Sequence, residues 1–174
     1  MTDVLKPLFS RQDIKKAIKR LGTAISRDFK GEEVVCVCIL KGSFMFTSDL
    51  VREIRIPTVV DFMRVSSYGN GMSSKGEVTI TKDLEMDISG KNVLIIEDII
   101  DSGLTLTWIR DTLLARNPKE LKIVCLVDKK ARRKADVPCD YVGFTIEDGF
   151  IVGYGIDYAE KYRNLPDILV VEKT

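Results

Sequence analysis

The chain has 174 residues, 45% of them apolar and 30% charged, a length for one domain and a composition that excludes disorder. Lys and Arg number 27 against 26 Asp and Glu, a net charge of +1, so nothing global points to nucleic acid or an anionic membrane surface as a partner. There is no histidine, which removes His metal sites and every His-based acid/base or nucleophile pair, and leaves proton chemistry to Asp, Glu, Lys, Tyr or Cys.

The opening Met1–Pro7 lacks the basic stretch and apolar core of a signal peptide. No apolar run approaches the ~20 residues that span a bilayer. Ser10 is placed to cap a helix, with Asp13 in the capping-box position. Ile14, Ile18, Leu21 and Ile25 recur at helical spacing, and Gly31 ends the segment. The apolar run Val34–Leu40 reads as a strand buried on both faces. Lys41-Gly42-Ser43 turns the chain into a second helix striped by Phe46, Leu50 and Ile54. Val59–Val65 and Val78–Thr81 read as strands, joined by a small, polar loop over 66–76 that is expected to be mobile. Asn92–Ile96 is the clearest buried strand, and a helix with Leu106, Ile109 and Leu113 on one face follows it. Pro118 closes that unit. Lys122–Val127, Tyr141–Ile146, Phe150–Tyr154 and Ile168–Val171 complete the strands. Cys36, Cys38 and Cys125 lie in apolar runs, and with Cys139 they form no C-x-x-C pair, so buried reduced thiols and a cytoplasmic location are expected.

Alternating strands and helices imply an α/β fold, a mostly parallel central sheet flanked by helices, in a single domain over 1–174. Ligands of such sheets bind beyond the carboxyl ends of the strands. Lys41, Glu97, Asp98 and Lys129 are each expected just past a strand end, which puts them in one crevice.

The densest chemistry lies in Val93–Thr105. Glu97 and Asp98 stand at the mouth of a buried strand, Asp101 follows, and Ser102, Gly103, Leu104 and Thr105 lead into a helix. Unpaired amides at a helix start suit a phosphate, and the two hydroxyls add donors. The upstream carboxylates would repel that phosphate and are better placed for sugar hydroxyls or Mg²⁺. The segment is thus shaped for a ribose 5-phosphate.

These residues resemble the phosphoribosyl pyrophosphate motif of phosphoribosyltransferases, and the rest of the chain narrows the likeness to the hypoxanthine-guanine phosphoribosyltransferase family. Leu40-Lys41-Gly42-Ser43 looks like its pyrophosphate loop, and Ser67-Tyr68 like the marker of its flexible catalytic loop. Lys129, Asp140–Phe144 and Phe150–Tyr158 look like its purine pocket. Arg163 matches its second pyrophosphate contact. The resemblance implies the type I fold, with a small hood built from the chain termini and a C-terminal hood segment over about 145–174. It also implies a purine-salvage enzyme that transfers ribose phosphate from phosphoribosyl pyrophosphate to N9 of hypoxanthine or guanine, giving IMP or GMP and pyrophosphate. In that reading Asp101 is the general base. Glu97, Asp98, Ser102, Gly103, Leu104 and Thr105 hold the ribose phosphate, while Lys41, Gly42 and Arg163 hold pyrophosphate. Lys129, Phe150, Ile151, Val152, Ile156 and Asp157 hold the base. Glu97, Asp98 and Asp157 serve Mg²⁺, Ser67 and Tyr68 belong to a lid, and the assembly is a homodimer or homotetramer.

Two other readings compete. A regulator could keep this fold as a sensor and bind nucleic acid through basic residues such as the run Lys129–Lys134. The near-zero charge and the complete set Asp101, Lys129 and Asp157 favour the enzyme. A dinucleotide-binding protein is disfavoured because Gly153-Tyr154-Gly155 lacks the third glycine and opens no helix.

Overall fold

A computed structural model describes residues 4–68 and 77–172. Nine strands and three helices run among the described residues as β1 (Val4–Phe9), α1 (Arg11–Asp28), β2 (Val34–Ile39), α2 (Phe44–Glu53), β3 (Thr58–Tyr68), β4 (Glu77–Lys82), β5 (Asn92–Ile100), α3 (Leu104–Leu114), β6 (Glu120–Lys129), β7 (Tyr141–Ile146), β8 (Ile151–Val152) and β9 (Ile168–Glu172). Six strands form one sheet in the order β4-β3-β2-β5-β6-β7. All its neighbours are parallel except the β3–β4 pair.

The expected α1 is present with both halves of its capping box, Ser10 accepting from the Asp13 amide and Asp13 accepting from the Ser10 amide. Its stripe Ile14, Ile18, Leu21 and Ile25 packs with α2 residues Phe46 and Leu50 onto Cys36, Leu94, Ile96 and Val124 of the sheet. The opposite sheet face, with Val35, Val37, Val93 and Ile95, packs against α3 through Leu106, Ile109 and Leu113. The central strands are therefore apolar without alternation because both faces are covered. Cys36, Cys38 and Cys125 are buried free thiols, and Cys139 is a part-buried one.

The termini meet in a second, three-stranded antiparallel sheet in the order β1-β9-β8. This is the expected hood, although the chain-order reading placed no strand before Ser10. Val4-Leu5-Lys6-Pro7-Leu8-Phe9 carries a proline and only weak alternation, and it becomes a strand by pairing with β9 at the sheet edge.

The strand expected over Phe150–Tyr154 shortens to Ile151–Val152, because only those two residues pair with β9, and three further boundaries differ from expectation. β5 runs to Ile100, so Glu97 and Asp98 lie inside the strand rather than past it. β6 supplies the reason: its pairing continues from Glu97↔Cys125 to Ile100↔Asp128, which holds the acids extended. Lys129 likewise is the last residue of β6 and not the first beyond it. Finally, β3 continues through Ser66 and Ser67 to Tyr68 by pairing with β4, so the loop begins later than 66, and residues 69–76 of the expected lid lie outside the described residues.

Candidate active site

Chain order reverses between β2 and β5: β3 and β4 lie on one side of β2, whereas β5, β6 and β7 lie on the other. At that point the segments leaving neighbouring strands diverge and leave a crevice. The turn after β2 carries Lys41 and Gly42, and the Leu40–Lys41 peptide is cis. A Cβ on Gly42 would overlap the Asp98 carboxylate, so a side chain there would displace that acid of β5.

Asp101, Ser102 and Gly103 follow β5. Gly103 caps α3 with φ +80°, a left-handed conformation, and a Cβ there would press on the Ala135 carbonyl. Ser102 Oγ accepts from the Leu104 amide at 3.3 Å. The amides that open α3 have no acceptor within the helix. They face a cup of about 130 Å³ lined by Glu97, Ile99, Ile100, Asp101, Ser102, Gly103, Thr105 and Leu106. Leu104, expected in this set, points its side chain to solvent and has only its main chain to offer.

A second cavity, about 220 Å³, is lined by Asp98, Ile99, Asp101, Lys129, Arg132, Gly149, Phe150, Ile151, Ile156 and Asp157. Asp101 and Ile99 belong to both walls, so the two cavities adjoin. Lys129 enters from the end of β6 with its side chain only 6% exposed. Its Nζ donates to the Gly149 carbonyl at 3.3 Å and stands 3.3 Å from Asp101 Oδ1. That carboxylate oxygen is buried without a hydrogen bond; the contact is electrostatic proximity. Phe150 lies outside β8, 45% exposed, with its ring edge-to-face with Tyr158. Val152, expected at the base pocket, is buried in the hood ladder beside Leu169 and does not line the cavity.

Lys41 and Arg163 line neither cavity. They are brought together by a residue the sequence reading missed, Glu160. Its Oε2 lies 2.8 Å from Lys41 Nζ and its Oε1 lies 3.2 Å from Arg163 Nη2. Arg163 also meets Asp157 Oδ1 at 3.0 Å and donates to the Gly155 carbonyl at 2.8 Å. The hydrogen bond from Lys41 holds the Glu160 carboxyl below its ordinary range. Arg132, Gly149 and Ile99 were also missed. Only Arg132 carried a signal, as part of the basic run Lys129–Lys134.

Burial, and then the charge of Asp98, push Glu97 well above the usual carboxylate range. Burial raises Asp98 as well. Adjacent, partly desolvated carboxylates of this kind ionise together only when a cation or several donors join them. Both offer oxygen alone, the donor type of a hard divalent cation, although two carboxylates are too few to hold one without substrate oxygens and water. Asp157 does not extend that set here, because Oδ1 meets Arg163 and Oδ2 accepts from the Glu160 amide.

Residues 6–159 match the phosphoribosyl transferase domain family. The chain is 52% identical to the hypoxanthine phosphoribosyltransferase of Salmonella typhimurium, over 95% of this chain and 94% of that protein. It is 47% identical to the hypoxanthine-guanine phosphoribosyltransferase of Bacillus subtilis, over 98% and 94% of the two chains. A crystal structure of a hypoxanthine-guanine phosphoribosyltransferase from Bacillus anthracis superposes with a TM-score of 0.91 at 50% identity, covering 96% of this chain and 98% of that one.

Proposed function

The chain belongs to the phosphoribosyl transferase family, and from that premise we propose that it is a purine-salvage enzyme transferring the 5-phosphoribosyl group of phosphoribosyl pyrophosphate to N9 of hypoxanthine or guanine. The products are IMP or GMP and pyrophosphate. The observation that carries the residue assignment is that Asp101 stands on the wall shared by two adjoining cavities, one opening on helix amides and the other on the Lys129 ammonium.

The 5′-phosphate sits in the cup, held by the amides that open α3 and by the hydroxyls of Ser102 and Thr105. The purine occupies the second cavity over Phe150, between it and Ile156, with Ile151 beside its pyrimidine edge. Lys129 has only donors, so it donates to an oxygen at C6 and disfavours the amino group of adenine. As N9 attacks C1 of the sugar, the bond from C1 to the pyrophosphate oxygen breaks and its electron pair leaves with pyrophosphate. Positive charge grows on the sugar, and Glu97 and Asp98 stabilise it from the ribose side. Asp101 removes the proton from N7. Lys41, the Gly42 amide and Arg163 take the growing charge of pyrophosphate. Glu97 and Asp98 would hold Mg²⁺ together with substrate oxygens, with Asp157 reaching it through water; when bound, the ion neutralises charge on the leaving group.

The alternative of a nucleic-acid sensor is not favoured, because Lys130 and Arg133 of the basic run are engaged with the Asp128 carboxylate. Val60 and Phe62 share one exposed face of β3, which supports a homodimer or homotetramer. The free thiols support a cytoplasmic location. No helix of the described residues is long and apolar enough to cross a membrane.

The test is a steady-state comparison of hypoxanthine, guanine, xanthine and adenine with phosphoribosyl pyrophosphate and Mg²⁺, followed by ultraviolet absorbance. Turnover of the first two and not of adenine is expected. No turnover with any oxopurine overturns the proposal.

A further inference from the structure

Apart from Arg132, which lines the second cavity, the segment between β6 and β7 has no part in the chemistry above, yet it touches the loop that bears Asp101 at several points. The Arg133 guanidinium meets the carboxylate of Asp128, a side chain only 5% exposed. Its Nη2 also approaches the Lys129 carbonyl at 3.4 Å, and its Nε donates to the main-chain carbonyl of Asp101 at 3.4 Å. Lys130 shares the Asp128 carboxylate. Just downstream, the amides of Lys134 and Ala135 donate to the Ser102 carbonyl at 2.8 and 3.1 Å. Two successive carbonyls, 101 and 102, are thus gripped by one segment, the first through a side chain and the second through main chain.

We propose that Arg133, fixed by Asp128, is a positioning residue that holds the Asp101 carboxylate and the Lys129 ammonium at their working separation. The proposal rests on the reading of Asp101 as the general base. The physical reason is the planar fork of arginine, which can serve three acceptors at once, here on the last two residues of β6 and the first residue after β5. Asp128 is needed because a buried carboxylate fixes the plane of the guanidinium through charge-assisted hydrogen bonds. Asp101 Oδ1 accepts no hydrogen bond of its own, so its placement follows the main-chain carbonyl that the clamp holds. Displacing a reacting group by about 1 Å costs on the order of 10²-fold in rate. The phosphate cup is secured separately by the main-chain bonds to Ser102, so the loss falls on turnover rather than on the affinity for phosphoribosyl pyrophosphate.

Arg133→Lys separates these roles, because it keeps a cation beside Asp128 but cannot reach the Asp101 carbonyl at the same time. Its melting temperature is expected within about 4 °C of wild type. Its kcat for guanine falls about tenfold or more, while KM for phosphoribosyl pyrophosphate changes less than about threefold. Amide hydrogen exchange over residues 101–105 becomes faster. A wild-type kcat in this variant, or a loss carried wholly by KM, overturns the proposal. If Arg133→Lys does not fold, Asp128→Asn combined with Arg133→Gln removes both charges together and is judged by the same two constants. If the wild-type protein turns over no oxopurine at all, it is the functional reading that fails; the clamp is then decided by exchange alone, faster in the variant if it exists and equal if it does not.

Discussion

Asp101, Lys129 and Glu160 each do something their residue type alone does not indicate. Asp101 lies between the cavities, so Asp101→Asn is expected to lower kcat by about 10²–10⁴-fold, the contribution of a positioned acid/base group, with KM for guanine little changed; an unchanged kcat would remove it from the mechanism. Lys129→Ala removes the ammonium proposed to select an oxygen at C6, which stands 3.3 Å from Asp101 Oδ1. The ratio of kcat/KM for guanine over adenine should fall by about 10-fold or more, as for loss of a charged hydrogen bond, and intact guanine kinetics would place that contact elsewhere. Glu160 holds together the two cations assigned to pyrophosphate, and a carboxylate there competes with the incoming anion. Glu160→Gln should lower the inhibition constant of pyrophosphate as a product several-fold, by about the 1 kcal/mol that one exposed ion pair carries at most. Product-inhibition kinetics check this, and a raised constant would mean that Glu160 orders the site instead.

Among the elements, α1 and α3 begin for different reasons. α1 has a reciprocal capping box of Ser10 and Asp13, and Ser10→Ala should cost about 1 kcal/mol of stability without touching turnover, as read by urea unfolding and kcat together. α3 has no side-chain cap and starts from the left-handed Gly103. Apart from the Leu104 amide, which donates to Ser102 Oγ, this leaves the opening amides without a side-chain acceptor and available to an anion. Gly103→Ala meets a backbone cost of about 1–2 kcal/mol and a close contact with the Ala135 carbonyl. The expected outcome is a rise in KM for phosphoribosyl pyrophosphate that exceeds any rise in KM for guanine. Equal rises would show that the phosphate does not bind at this helix start.

For the molecule as a whole, burial of the thiols links stability to pH. Burial pushes the Cys36 and Cys139 thiols up to about 12, from the 9.0 of an exposed thiol. Above pH 9 the unfolded chain releases these protons while the native state keeps them. Stability is therefore fully present below pH 9 and declines as pH rises toward 12, by roughly 1.4 kcal/mol per pH unit for each fully buried thiol. Urea unfolding at pH 8 and pH 10 should show the decline, and Cys36→Ala should make it shallower. An equal slope in that variant would mean that Cys36 ionises in the native state.

Elements that depend on local patterning were legible in the residue order. The doubly covered strands were readable as unbroken apolar runs, α1 from its capping residues and stripe, and the turn that opens α3 from acids followed by small hydroxyl-bearing residues. Tertiary structure alone decided what pairing and distant packing control. β6 carries β5 past Glu97 and Asp98 because ladder hydrogen bonds outweigh the poor strand propensity of acids. β1 exists only against β9, where Pro7 pairs with Leu169, 162 residues downstream. Glu160 reaches Lys41 across 119 residues, and Arg133 reaches Asp101 across 32. No local pattern encodes such contacts, since their energy is gained only once the sheet has brought the segments together.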